Sequence, residues 1–245
     1  MPTLTRRPST PVLHQASQSL LADDLGAAVA AHAWPQLDPQ RIKATQPNLL
    51  AVILALIHRY SGASATHAGT YYRDQRVALD TPGRPPAMPM PERLAPTVIA
   101  KQLDWAVGNL FGEVTPAKLD AALSNVTGLT ETAVLDAGRD RILAAVQADR
   151  QAVGWARVPE ARACSFCLLL ATRGAVYKTE HTAAFEAHDH CRCHVEPLFG
   201  AAYEPTAQVR AAQSLYSATP NGRSAATARN NFRVALKRER DAGHH

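Results

Sequence analysis

The chain has 245 residues, of which 46% are hydrophobic and 19% charged, and a formal net charge of +5. That is enough apolar material for one large core or two small ones, and it excludes a disordered chain. Aromatic residues are only 6% and alanine is abundant, which favours helices with small-residue packing over a β-sandwich.

The charge is uneven. From residue 205 onward seven basic residues stand against two acids, so this stretch carries the whole excess. A tail of that kind can touch nucleic acid or an acidic protein face, or serve as a solvated helix end. The longest apolar run, residues 49–57, is too short to span a bilayer. The opening MPTLTRRPSTP lacks the apolar stretch of a signal peptide.

In chain order, residues 1–9 read as a flexible lead-in. Thr10-Pro11 is a cap residue followed by proline at the first helical position, and residues 12–33 follow with leucines near helical spacing. Trp34-Pro35 ends that helix. Asp38-Pro39 opens a second one, disturbed near Pro47 and continuing to Tyr60, where Ser61-Gly62 predicts a break or kink. Residues 63–79 carry Tyr71, Tyr72, Arg73 and Arg76, which predict an aromatic and basic surface with one tyrosine half-buried and the other exposed. Six prolines in residues 82–96 predict an extended connector, hinge or domain boundary, because proline lacks the donor that helices and sheets need.

Residues 97–110 return to helix, with Ile99, Leu103, Trp105, Ala106 and Leu110 as the apolar set. Thr115-Pro116 opens another, Gly128 predicts its stop, and a fresh helix runs from Thr130 to about Val153. Residues 154–162 suit a short extended segment. After Pro205, residues 206–216 suit a helix, Pro220-Asn221-Gly222 a turn, and Ser224 the cap of a basic terminal helix holding Phe232, Val234 and Leu236. The fold class is mainly α: a helical body, a small zinc-knuckle α+β insert and a basic C-terminal helix. The divisions are 1–81, the connector 82–96, a helical region 97–153, the knuckle segment 154–200 and the basic tail 201–245.

All four cysteines and four of the ten histidines lie within residues 164–194. Cys164 and Cys167 make a CxxC; His188 and Cys191 make an HxxC, with Cys193 two residues on. Two chelating turns joined by a loop suit a tetrahedral zinc ion held by Cys164, Cys167, His188 and Cys191. Cys193 competes with Cys191, since CxC also chelates, and His190 and His194 are lesser options. Clustered cysteines without a secretion signal point to a reducing compartment and metal binding rather than disulfides. A thioredoxin-like redox role lacks its βαβ context.

Four protein ligands would close the site as a structural one, whereas three plus water would permit hydrolysis. Glu180, His181, Glu186 and Asp189 are the candidate bases for that alternative, an HNH-like nuclease or other hydrolase, but no HExxH or deaminase motif accompanies them. A zinc-stabilised DNA-binding module is a third reading.

ACSFCLLLATRGAVY, a loop, and then HDHCRC resembles the zinc-knuckle signature of MuF-like phage head morphogenesis proteins, minor capsid proteins of tailed phages, and most of all their actinobacteriophage form. HAGTYYRDQR is similar to the helical segment that precedes the knuckle there. The resemblance covers residues 164–197 best and 49–79 less well. It places the family's CxxC on Cys164 and Cys167 and its HxxCRC on His188, Cys191, Arg192 and Cys193. It implies a structural protein rather than an enzyme, made in the host cytoplasm and incorporated into the capsid interior. It further implies association with the portal and capsid proteins and help in packaging or releasing DNA; the charge of the tail, and not the resemblance, makes the tail a candidate DNA contact, and the sequence suggests no membrane segment.

Overall fold

The computed structural model describes residues 10–177, 185, 187–200, 203–220 and 224–242. Its elements are α1 (Thr10–Ala28), α2 (Ile42–Ala78), α3 (Pro96–Ala106), α4 (Pro116–Ala148), β1 (Gly154–Val158), α5 (Ser165–Ala171), β2 (Ala175–Tyr177), β3 (His194–Leu198), α6 (Ala207–Ala218) and α7 (Ala225–Ala242). The fold is mainly helical, with one small antiparallel sheet ordered β2-β1-β3.

Two of the cap signals act as the sequence predicts: Thr115 accepts from the Lys118 amide at the start of α4, and Ser224 accepts from the Thr227 amide before α7. Thr206, expected as the first residue of its helix, is instead the cap of α6 and accepts from the Val209 amide. Asp38 instead closes a turn by accepting from the Gln40 amide, and α2 begins at Ile42. α1 passes through a π-helical turn, Val29–Ala33, into a short 3-10 turn at Trp34–Gln36.

The two long helices set the plan. α2 has 37 residues and α4 has 33, so they are about 55 Å and about 50 Å long at 1.5 Å per residue. Both expected breaks are absent. α2 runs straight through Ser61-Gly62 and keeps Pro47 in its interior. α4 runs straight through Gly128. In α4 the reason is packing: a Cβ on Gly128 would stand 2.8 Å from Asp189 and His190, and one on Gly138 would stand 2.6 Å from Ser64 Oγ. The glycines of α4 make room for neighbours, and that outweighs the roughly 1 kcal/mol they cost a helix.

Of three apolar clusters, two lie in sequence along these helices. The first joins α1, α2, α3 and α4 through residues such as Leu25, Leu49, Ile53, Ile99, Leu103 and Val126, all fully buried. The second joins the ends of α2 and α4 to the sheet through Tyr71, Tyr72, Ile142, Trp155 and Val195. Both tyrosines are therefore buried, and so is Arg76 at 3% exposure, which corrects the expected aromatic and basic surface. Arg76 pairs with buried Asp149, which also accepts from the Tyr72 hydroxyl at 2.9 Å. Trp105 departs the other way: it is 67% exposed, because α3 turns Ile99, Leu103 and Ala106 inward and Trp105 lies on the opposite side.

By length and overall composition α2 could cross a membrane, although no uninterrupted apolar run is long enough. In this fold it is the central helix, packed on α1 and α4. The connector after it makes no helix or strand from Gly83 to Ala95, but it is held. Arg76 donates to the carbonyls of Pro82 and Gly83, and Arg141 donates to that of Met88.

Candidate metal centre

The third cluster surrounds the cysteines. β1 is buried along most of its length and pairs on both edges, with Gly154 opposite both Tyr177 and Leu198. After β1 the chain turns into α5, whose N-cap is Cys164: its Sγ accepts from the Cys167 amide at 3.4 Å. A seven-residue helix thus presents the two thiols of the CxxC on its first turn. The second half of the site arrives just before β3, in the turn His188 to Cys193. There His190 adopts a left-handed backbone, φ 61°, which lets the chain reverse and point the Cys191 and Cys193 thiols back at α5.

All four cysteines are free thiols. Their sulfurs and the His188 imidazole form two trios that share Cys167. Cys164, Cys167 and His188 lie within 4.8 Å of one another, as do Cys167, Cys191 and Cys193. Cys164 Sγ stands 2.6 Å from His188 Nε2, and Cys167 Sγ 3.3 Å from Cys191 Sγ. Soft thiolates and one imidazole converging in this way can hold a metal ion that prefers N and S donors.

The histidines sort themselves by their second nitrogen. His188 Nδ1 lies 2.7 Å from the Asp189 carbonyl; donation there leaves Nε2 bare and aimed at the thiols, the arrangement common in metal-bound histidine. His190 has both nitrogens engaged elsewhere, with Glu131 and Ser124 at 3.3 Å each. His194 is buried and donates through Nδ1 to Gln15 at 2.6 Å. Neither belongs to either trio. Cys193 does, so it remains a competitor for the fourth position. Of the residues proposed as catalytic bases, Glu180, His181 and Glu186 lie outside the described residues, while Asp189 is in the turn.

Hydrogen bonds within the cluster push the thiols apart in acidity. Those from the Cys167 thiol and amide and from His188 bring Cys164 down to about 5. The Cys167 and Cys193 thiols, with the Arg139 charge, lower Cys191. Cys167 is raised by its bonds to the other three thiols and by burial. Cys193, despite the opposing bond from Cys167, is pushed up to about 12 by Cys191 and burial. A metal ion binding here would displace the protons that the thiols carry.

No motif or spacing announces how firmly the helical body grips this turn. Arg139 of α4, 4% exposed, donates to the carbonyls of both Cys191 and Cys193. Thr132 donates to the His188 carbonyl and Gln15 to that of Arg192. Arg192 pairs with Asp23 of α1 at 2.6 Å and with buried Glu131 of α4 at 3.1 Å. His188, Cys191, Arg192 and Cys193 are thus each held by a side chain more than fifty residues away. No spacing rule reveals partners that distant. Gly128, misread as a helix stop, was the one available signal.

The terminal helix closes the other side. Phe232, fully buried, and Leu236 pack with Cys167, Leu168, Cys191 and Cys193, and Arg240 donates to the Ala163 carbonyl at 2.6 Å. The family model described as VG15 protein matches residues 9–219, which takes in the body and the whole cysteine module. No curated protein and no solved structure matches.

Proposed function

The chain belongs to the VG15 protein family, a viral family consistent with a phage protein, and on that premise we propose that it is a MuF-like minor capsid protein of a tailed phage. It joins the portal inside the procapsid and assists the packaging or release of DNA. It works by contact rather than turnover. The observation that carries the reading is the family match across residues 9–219, which unites the helical body with the cysteine module in one viral unit.

The ion is zinc, held by Cys164, Cys167, His188 and Cys191, with Cys193 as the rival for the last place. Its task is structural. It joins the first turn of α5 to the turn before β3, and Arg139 neutralises part of the thiolate charge while fixing the carbonyls of Cys191 and Cys193. Zinc bound there supplies no reacting group; it supplies a fixed shape for the surface around the module.

The test is composition and assembly. Mass spectrometry of procapsids and virions of the encoding virus should detect the protein in a few copies per particle, and co-expression with the portal protein should yield a complex stable to gel filtration. A protein abundant in infected cells but missing from procapsids and virions sinks the reading.

A further inference from the structure

We propose that the exposed basic stripe along one flank of α7 binds duplex DNA along its phosphate backbone, without regard to sequence. This inference stands apart from the capsid reading: it rests on the charge and geometry of a helix beyond the part of the chain that the family model matches.

α7 is a docked helix and not a loose tail. Phe232 and Leu236 fasten it over the cysteine cluster. Arg229, Arg233, Lys237 and Arg240 are all exposed. At 3.6 residues per turn they fall within about 80° of arc and span about 16 Å of axis. Arg162 is exposed too, one residue from the Ala163 carbonyl that Arg240 reaches, and so extends the stripe onto the module. Of these cations only Lys237 is paired with an acid, Asp241, among the described residues. Four cations spaced along such a stripe can meet up to four backbone phosphates of a duplex.

Duplex DNA fits better than an acidic protein. Protein interfaces are built on apolar and aromatic anchors, and α7 shows none: every large hydrophobic residue exposed among the described residues lies at or before Val153. Interfaces with DNA are polar and strongly positive. Single strands are excluded by the same observation, since they need exposed aromatic rings for base stacking, and the one aromatic ring of α7, Phe232, is fully buried.

The experiment is fluorescence anisotropy of the full chain with a short labelled duplex of arbitrary sequence, repeated across a salt series. Four phosphate contacts give a log–log slope of about −3 to −4, hence a loss of affinity on the order of 100-fold between about 50 and 200 mM salt. Arg229→Gln and Arg233→Gln should each reduce the slope by about 0.9. The triple change Arg229→Glu, Arg233→Glu and Lys237→Glu should remove binding while melting temperature and circular dichroism stay as in the wild type. The neutral variants cover the case in which the triple variant misfolds. Salt-independent binding, binding untouched by these changes, or preference for single strands would overturn the proposal. So would tight binding of polyglutamate with no binding of the duplex, which would assign the face to an acidic protein.

Discussion

In the body, helices of 37 and 33 residues bury Leu49, Ile53, Val126 and Val134 against one another. In the module, strands of three to five residues and a seven-residue helix accompany a smaller cluster in which Leu168, Phe232 and Leu236 pack around the cysteines. The body can stand on burial, at about 25 cal/mol for each Å² of apolar surface removed from water. The module is too small for that. Side chains of α1 and α4 hold its turn by the carbonyls, and on the proposed reading a bound metal supplies the rest of its order. Two regions of one chain therefore have different weak points, and each can be struck separately.

The largest effect should come from the sulfur that both trios share. Cys167→Ser should abolish metal binding and withdraw on the order of 10 kcal/mol of metal affinity from the folded module. Hydrogen exchange should then show β1, β3, α5 and α7 losing protection while the middles of α2 and α4 keep theirs. Simultaneous loss in all of them would mean that body and module form one cooperative unit. Metal content of His188→Ala, Cys191→Ser and Cys193→Ser, measured side by side, identifies the fourth ligand: the variant among the last two that keeps its metal is the spare thiol.

Next comes the ion pair at the seam of the two regions. Arg76→Met leaves Asp149 buried beside Tyr72 without its guanidinium, and should cost about 3 kcal/mol in urea denaturation. Burial pushes the Asp149 carboxyl up. The Gln151 amide, the Tyr72 hydroxyl and Arg76 outweigh that and hold it below its ordinary range. A lowered folded value means the contribution is present above the ordinary carboxylate range and is lost as pH falls through the folded value. The wild type should therefore lose more stability on acidification than Arg76→Met does; equal acid sensitivity would remove the pair from the account.

A smaller loss is expected inside the body. Gly138→Ala gains about 1 kcal/mol of helix propensity. Its methyl group, however, would meet Ser64, whose hydroxyl and carbonyl are already bonded to Gln18. Overpacking of this kind costs about 1–3 kcal/mol, so the net change should be a loss of about 1 kcal/mol. A more stable variant would show that α2 and α4 can part at that point without penalty.

The two regions also differed in how far the sequence revealed them. Cap residues and hydrophobic spacing announced most helices of the body, and the CxxC and HxxCxC spacing announced the site. What failed was local reasoning about single residues whose role is tertiary. Gly128 and Ser61-Gly62 looked like stops, yet one makes room for the His190 turn and the other sits within a continuous helix. Tyr72 and Arg76 looked like surface, yet their polar ends meet Asp149, more than seventy residues away. The grip of Arg139 on the Cys191 and Cys193 carbonyls left no trace in spacing, because a buried arginine on a helix reads like any exposed one.

Trp105 is the smallest and most discriminating case. Helical spacing counts it among the inward residues of α3, but the core is completed without it by Ile99, Leu103 and Ala106, each fully buried. A tryptophan 67% exposed gains little from folding, and surface changes away from special features usually stay within about 0.5 kcal/mol. Trp105→Ser should fall inside that range in urea denaturation, well below Gly138→Ala, although it removes the larger side chain. A loss above about 1 kcal/mol would place the ring against the body after all and would restore the helical face that the spacing predicts. A loss inside the range would mean that α3 carries an aromatic residue the fold itself does not need.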